Sequence, residues 1–464
     1  MTWCAGWPGM TYDLIVRGGR AVLADGDRVA DVGVLDGAIA AIAPDLEGPA
    51  AVEIDARGMV VLPGAVDAHV HLNDPGRAEW EGFATGTAAL AAGGATTAID
   101  MPLNAIPPTL DAASFAVKAA AARGIARVDV ALWGGLVPGR VDRLDELADA
   151  GVVGFKAFMS ASGVEEFTAA DDLTLVEGMA RAARLGLPVA VHAESDTLTS
   201  RLAARAVAAG RTSMRDYLTS RPVLAELEAI GRALAFAQET GCALHVVHVS
   251  SGRGVALVAD ARARGVDVTC ETCPHYLVLD EEDAVRLGAV AKCAPPLRPA
   301  AEVEALWDHV RAGDVDLVAT DHSPSPAALK ETGGDAFAAW GGIPGAQTLV
   351  ALLYDQGVAG RGLPLARLGK LVAGMPALRF GLAPAKGALA VGADADMVVV
   401  DPRQNWRVER DDLLDRHRLS PFVGRTLRGR VARTILRGVT IAQDGAPAGA
   451  PRGRVLRRDG TVVA

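Results

Sequence analysis

Lysine is nearly missing from this chain of 464 residues: six lysines stand among 46 basic residues, so arginine carries almost all of the positive charge. Aromatic residues make up 4% of the sequence, and there are five cysteines, at positions 4, 242, 270, 273 and 293. An odd count without framework spacing excludes a disulfide-stapled secreted scaffold and points to a reducing cytoplasm. No apolar run approaches the ~20 residues needed to cross a bilayer. The first ten residues lack the basic and apolar regions of a signal peptide. Met10 stands just before the first strand-like segment and is a candidate start, with a frayed extension ahead of it. Net charge is −10 with both signs interspersed, which argues against nucleic acid or an anionic membrane as the main partner.

What is present is a large apolar fraction, 50% of the residues, enough for a barrel domain and a smaller companion. The middle of the chain alternates short β-rich runs with Ala-, Leu- and Arg-rich helical stretches, the pattern of repeated βα units. Strands are expected at 60–72, 95–101, 128–134, 153–159, 188–194, 243–250, 267–273 and 316–321. Helical patterns lie between them, for example at 80–92, 173–185 and 223–239. Eight such units predict an α/β fold, a (β/α)8 TIM barrel whose active site lies at the C-terminal strand ends. A doubly wound open sheet is the rival, but no G-x-G-x-x-G follows the first strand. The two chain ends resemble each other as strand, glycine turn, strand, at 13–23 and 433–442. They predict a small β-sandwich-like domain from 11–62 and 387–446, around a barrel at 63–386, with a C-terminal tail at 447–464.

The stretch Asp67-Ala68-His69-Val70-His71 closes an apolar run. In a strand, residues i and i+2 share a face, so His69 and His71 would offer ring nitrogens to one metal ion. The other strand ends bring Lys156, His192, His248 and Asp321 to the same mouth. Each alone reads as an ordinary core histidine or a salt-bridged lysine; jointly, six such residues on five strands need a common cause. An ammonium buried beside metal cations is expensive. A lysine that loses its proton and takes up carbon dioxide becomes a carbamate, an anionic oxygen ligand able to bridge two metals.

These residues resemble the cyclic amidohydrolases of the amidohydrolase superfamily, the dihydroorotase and hydantoinase-like group. The resemblance runs from Asp13 to Gly438 and rests on Pro63-Gly-Ala-Val-Asp67-Ala-His69-Val-His71, Trp80-Glu-Gly82, Gly154-Phe-Lys156, Cys273-Pro-His275-Tyr276, Lys292-Cys-Ala-Pro-Pro296, Asp321-His-Ser-Pro324 and Ser420-Pro-Phe-Val-Gly-Arg425. It implies a hydrolase with two divalent metals. His69, His71 and Asp321 would hold one, His192 and His248 the other, and Lys156, as N6-carboxylysine, would bridge both. Zinc suits nitrogen and oxygen ligands, as do iron, cobalt and manganese. Two metals ~3.5–4 Å apart generate a hydroxide at neutral pH and polarise a carbonyl. Asp321 would act as general base and then general acid. Relatives are commonly tetramers, so the resemblance also implies a homo-oligomer acting on a small cyclic amide.

Three departures narrow the substrate. Dihydroorotases follow the histidine pair with Leu-Arg, gripping a carboxylate; here Leu72 is followed by Asn73. Dihydropyrimidinases and hydantoinases carry a tyrosine five residues after the bridging lysine; here that position is Ala161. The phrases Asn73-Asp-Pro-Gly-Arg77 and Asp100-Met-Pro-Leu-Asn104 match the allantoin-opening branch. Asn73, Asn104 and Ser323 could serve a neutral hydantoin ring with a ureido tail, or could equally be turn and structural residues. Main-chain groups near Cys293, Ala294, Trp340 and Gly342 are further expected contacts. A hydantoinase or dihydropyrimidinase is the alternative, and a non-catalytic scaffold relative a remoter one. The C-x-x-C pair, Cys270 and Cys273, reads as structural. His245, His275 and His322 read as supporting residues, and Glu79 and Glu81 as carboxylates at a helix N-terminus.

Overall fold

A computed structural model describes residues 11–463; the expectation about Met10, and Cys4, lie outside the described residues. Eight parallel strands, here β1 to β8, run Ala65–Val70, Ala95–Asp100, Asp129–Leu132, Phe155–Phe158, Val189–His192, Leu244–Val246, Val268–Thr272 and Leu317–Val318. They fall within the eight predicted segments. β3 continues past Trp133 into Gly134–Gly135, which pairs with β4. On the other side a parallel bridge from Val70 to His322 joins β1 to the chain just beyond β8, so the ring closes. Ala68, Ile99, Ala131, Ala190 and Leu317, from five different strands, pack in one apolar cluster with Trp133 and Phe380. The barrel is therefore filled with side chains, as a (β/α)8 core must be.

The chain ends build a nine-stranded sheet from Tyr12–Leu23 through Val60–Pro63 and from Met397–Arg407 through Ala446–Pro447. Its alternating Leu14, Val16, Val32 and Val34 pack with Met397, Val399 and Ile435, giving the small β-sandwich-like domain beside the barrel. Two local readings change. Residues 12–23 form one strand with a bulge between Val16 and Gly19 instead of two strands and a turn. The first barrel helix starts at Phe83, three residues later than its pattern suggested, because Gly82 takes φ 85°. Glu79 and Glu81 consequently do not lie in its first turn. Among the described residues no helix is long and apolar enough to cross a membrane.

A buried ion cluster fastens the two layers. Lys386 Nζ lies 2.6 Å from Asp129 at the start of β3, and 2.8 Å from both Asp394 and Asp396. Arg437 pairs with Asp129 as well, and its main-chain N–H donates to Asp396. The C-terminal segment joins in: Arg454 N–H donates to Asp129 at 2.8 Å, and Leu456 N–H to Val130 at 2.8 Å. Removing one partner of such a group leaves buried charge uncompensated. Lys386→Met is expected to lower the unfolding free energy by about 3–5 kcal/mol, read as a fall in the denaturant midpoint.

Candidate metal centre

The β-strand period places the chemistry. His192 is the last residue of β5, Lys156 sits within β4, and His69 and His71 flank the end of β1. His248 follows β6 and Asp321 follows β8, each in the left-handed region with φ of 41° and 48°. Bulky residues occupy that region only under constraint. Here the constraint turns both side chains back over the barrel mouth. Hydrogen bonds from His71 N–H to His322 O at 2.8 Å, and from His248 N–H to Glu271 at 3.3 Å, hold the turns.

The tautomers follow from the partners. His71 Nδ1 faces the carbonyl of Leu103 at 2.7 Å, which can only accept, so Nδ1 carries the proton. His69 Nδ1 faces Glu271 at 2.5 Å and donates likewise. Both Nε2 atoms are left with lone pairs, and each lies 3.3 Å from the same Asp321 Oδ1. His192 Nε2 donates to Glu194 at 3.0 Å, so its Nδ1 lone pair faces His248 Nε2 at 3.1 Å. Burial holds His69, His192 and His248 below the usual histidine range, favouring the neutral rings. Burial would raise Asp321, but positive charge at the facing rings of His69, His71 and His248 outweighs it and holds the carboxylate below its usual range; with those rings neutral, a cation has to supply that charge. The Nε2 lone pairs of His69 and His71 repel the Asp321 carboxylate unless a cation lies among them, whereas the His192 Nδ1 lone pair can accept from His248 Nε2.

Lys156 completes the set by an absence of partners. Five of the six lysines are buried: Lys118, Lys156, Lys292, Lys330 and Lys386. Lys118 pairs with Asp100 and Met101 O, Lys386 with three aspartates, and Lys292 and Lys330 with main-chain carbonyls. The Lys156 Nζ is buried with no hydrogen-bond partner at all. Burial lowers it to about 7, against the opposing pull of Glu271 and Asp321. An amine so placed has a substantial neutral fraction near neutral pH and is free to react.

Behind the ligands, His245 and His322 are expected from the sequence as supporting residues, whereas Glu271, Glu194 and the role of Asp67 are not. Glu271 in β7 takes hydrogen bonds from both His69 and His245, the latter at 3.1 Å; these neighbours hold it at about 2 despite burial. Glu194 is held at about 2 against burial by Arg221 and His192. The i, i+2 rule that paired His69 with His71 would have found Glu194 beside His192. Asp67, two residues before His69, accepts from the main chain and hydroxyl of Thr320 and is pushed up to about 7 by burial. His322 accepts from Gly345 N–H at 3.2 Å, and His245 bonds Thr269 and Glu271. Glu81 is buried just ahead of the helix, where burial and Asp415 raise it to about 8 while the Arg416 N–H opposes them.

Above the centre opens a cavity of about 490 Å³ lined by His69, His71, His192, His248 and Asp321. Asn104, Ala294, Ser323 and Gly342 also line it, as does Ala161. Asn73 does not: it is buried one layer back, where its Oδ1 accepts from Asn104 Nδ2 at 3.2 Å and its Nδ2 reaches Pro324 O. The N–H of Gly342 is spent on Lys292 O at 2.8 Å. Phe158 stacks on His192 with ring centres 4.7 Å apart. His69, His71 and Asp321 form one group of potential metal ligands; a second, Asp129, Asp394 and Asp396, is already filled by the Lys386 ammonium.

A barrel mouth with four imidazoles, a carboxylate and an unpartnered amine defines a metal-assisted hydrolase. Residues 60–441 match the Amidohydrolase family, and the chain belongs to that family of metal-dependent hydrolases. A protein named allantoinase from Rubrobacter xylanophilus is 62% identical over 446 residues, 96% of this chain and 98% of its own. Another of that name from Deinococcus radiodurans is 52% identical, covering 97% and 99% of the two chains. Among solved structures, the L-hydantoinase (dihydropyrimidinase) from Arthrobacter aurescens superposes with a TM-score of 0.93 at 38% identity, over 96% of this chain and 99% of that one. Groups that orient metal-bound histidines commonly matter by about 10- to 100-fold in affinity. Glu271→Gln is accordingly expected to weaken divalent-cation binding by about that factor, measured by titration calorimetry of the metal-free protein.

Proposed function

We propose that this chain opens the hydantoin ring of allantoin to give allantoate, by hydrolysis at a two-metal centre held by His69, His71, Lys156, His192, His248 and Asp321. The convergence of lone pairs around an unpartnered Lys156 carries the reading. In it, the neutral Nζ would add to carbon dioxide and give up a proton, leaving a carbamate as an anionic oxygen ligand. Two bound divalent cations, zinc or else iron, cobalt or manganese, would supply Lewis-acid polarisation and acidify a water at neutral pH. Asp321, facing the cavity, would accept a proton from the attacking water and return it to the departing ring nitrogen. Glu271 and Glu194 keep the imidazole lone pairs aimed inward throughout.

The cavity is within the range typical of small-molecule sites, and away from the metal ligands its polar lining combines Asn104, Ser162, Ser220 and Ser323 with Arg221 and Lys292. Asn104, Ser323 and the main chain at Ala294 offer neutral donors and acceptors to the ring and the ureido tail. Asn73 acts through Asn104. Ala161 leaves open the wall where the hydantoinase branch would place a phenol. The names of the relatives at 52–62% identity support the same substrate. The likeness to solved hydantoinases keeps a hydantoinase as the second reading. A homotetramer in the cytoplasm fits either.

Two measurements test this. With metal-loaded enzyme, kcat/KM on allantoin should exceed that on hydantoin, dihydrouracil and dihydroorotate by at least about tenfold, some 1.4 kcal/mol of transition-state discrimination; a higher value on dihydrouracil would overturn it. Lys156→Ala should lose bound metal and activity together, read by elemental analysis and turnover. Near-normal activity in that variant would remove the carbamate.

A further inference from the structure

Segment 337–342 crosses the cavity as a strap, contributing Phe337, Trp340 and Gly342 to its wall. No barrel strand or helix underlies it. Its main chain is instead tied down by two of the chain's few lysines. Lys292 Nζ donates to Ala339 O and, at 3.5 Å, to Phe337 O. Lys330 Nζ donates to Gly342 O at 2.9 Å, Trp340 O at 3.2 Å and Ala289 O at 3.2 Å. The main chain adds Gly342 N–H to Lys292 O at 2.8 Å and Trp340 N–H to Leu329 O at 2.8 Å.

The strap is pressed close to the reacting end. Gly342 has φ 119°, and a Cβ there would meet Ser323 O at 2.2 Å. One residue on, Ile343 pairs with His322, the neighbour of Asp321. At its other side Trp340 meets Trp80 edge-on at 5.0 Å. An ammonium has three donors on a compact centre and reaches several carbonyls at once, where a planar guanidinium would need more room. That accounts for lysine at both places in a chain that otherwise uses arginine.

We propose that Lys292 and Lys330 are positioning residues for the ring-opening reaction: they hold strap 337–342 at a fixed height over the metal centre, so that substrate seats against it. Lys330 does not line the cavity, and Lys292, which does, directs its ammonium to the carbonyls of Ala339 and Phe337; each acts through the strap. The inference rests on the proposed substrate for its assay, and on nothing else in that reading.

Lys292→Met and Lys330→Met keep chain length and remove the donors. Each should raise KM for allantoin by about tenfold with kcat within about threefold of wild type, the signature of lost ground-state positioning. Bound metal should be unchanged, and deuterium uptake in 337–342 should rise. Lys330→Gln, which retains an N–H donor, should recover part of the loss. Wild-type KM in both methionine variants, or a fall in kcat alone, would overturn the proposal. Should the variants not fold, the wild-type enzyme carries the test through pH. Burial lowers both lysines to about 8, with Arg221 and Lys330 adding to it for Lys292 and Asp335 opposing, and the Cys293 thiol opposing it for Lys330; Lys292 also faces the Tyr217 ring at 4.7 Å. The ammonium forms prevail below that pH and are lost above it, so KM should climb between pH 7 and 9.5, and a flat KM would overturn the proposal. A metal-loaded wild type with no rate on allantoin at any pH would instead sink the substrate reading; the deuterium-uptake comparison would then decide the strap alone, with unchanged uptake overturning it.

Discussion

Lone pairs that point at one another organise the mouth of this barrel. Two imidazole nitrogens approach a single carboxylate oxygen at the floor of the cavity, and two more imidazoles lie within hydrogen-bond distance of each other. The surrounding structure is devoted to maintaining that arrangement: Glu271, Glu194 and the Leu103 carbonyl each claim the far side of a ring and so fix which nitrogen stays bare. Left-handed backbone at His248 and Asp321 is tolerated for the same end. A fold that spends buried carboxylates and strained turns on creating repulsion is built to receive cations.

The scaffold behind this shows the opposite policy. Where the two layers of the molecule meet, buried Asp129 and Asp396 and half-buried Asp394 are also brought together, but Lys386 and Arg437 are supplied with them. One cluster is complete in itself and joins domains; the other is incomplete and awaits ligands. The distinction lies in the partners and not in the residue types, which explains why a search for acidic and histidine groups alone finds both.

Much of this could be read in the sequence. The strand ends carrying His69, Lys156, His192, His248 and Asp321 were legible because a two-residue period and a βα repeat fix which side chains share a rim. The helix at 83–92 was placed too early because a glycine with positive φ interrupts it, and periodicity does not register a single dihedral. The motif leaves Asn73 open between a substrate contact and a structural role; its amide oxygen accepts from Asn104, a pairing that depends on a residue 31 positions away. Glu271 was hidden for a related reason: its value lies in touching His69 across 202 residues of chain. Lys292 stood within a recognised motif, yet its role depends on where a strap with no regular secondary structure comes to rest.

The division of labour between the two basic residues has a practical side. Arginine covers the outside, and lysine has been withdrawn to positions where a compact amine is wanted. Among the described residues, Lys370 is the one lysine that is exposed. Reagents that acylate lysine should therefore find a single exposed lysine side chain among the described residues, at the start of the helical turn Lys370–Gly374. Coupled to a surface through that side chain, the molecules would share one orientation. An architecture that saves its lysines for the interior has, incidentally, left one of them outside as a handle.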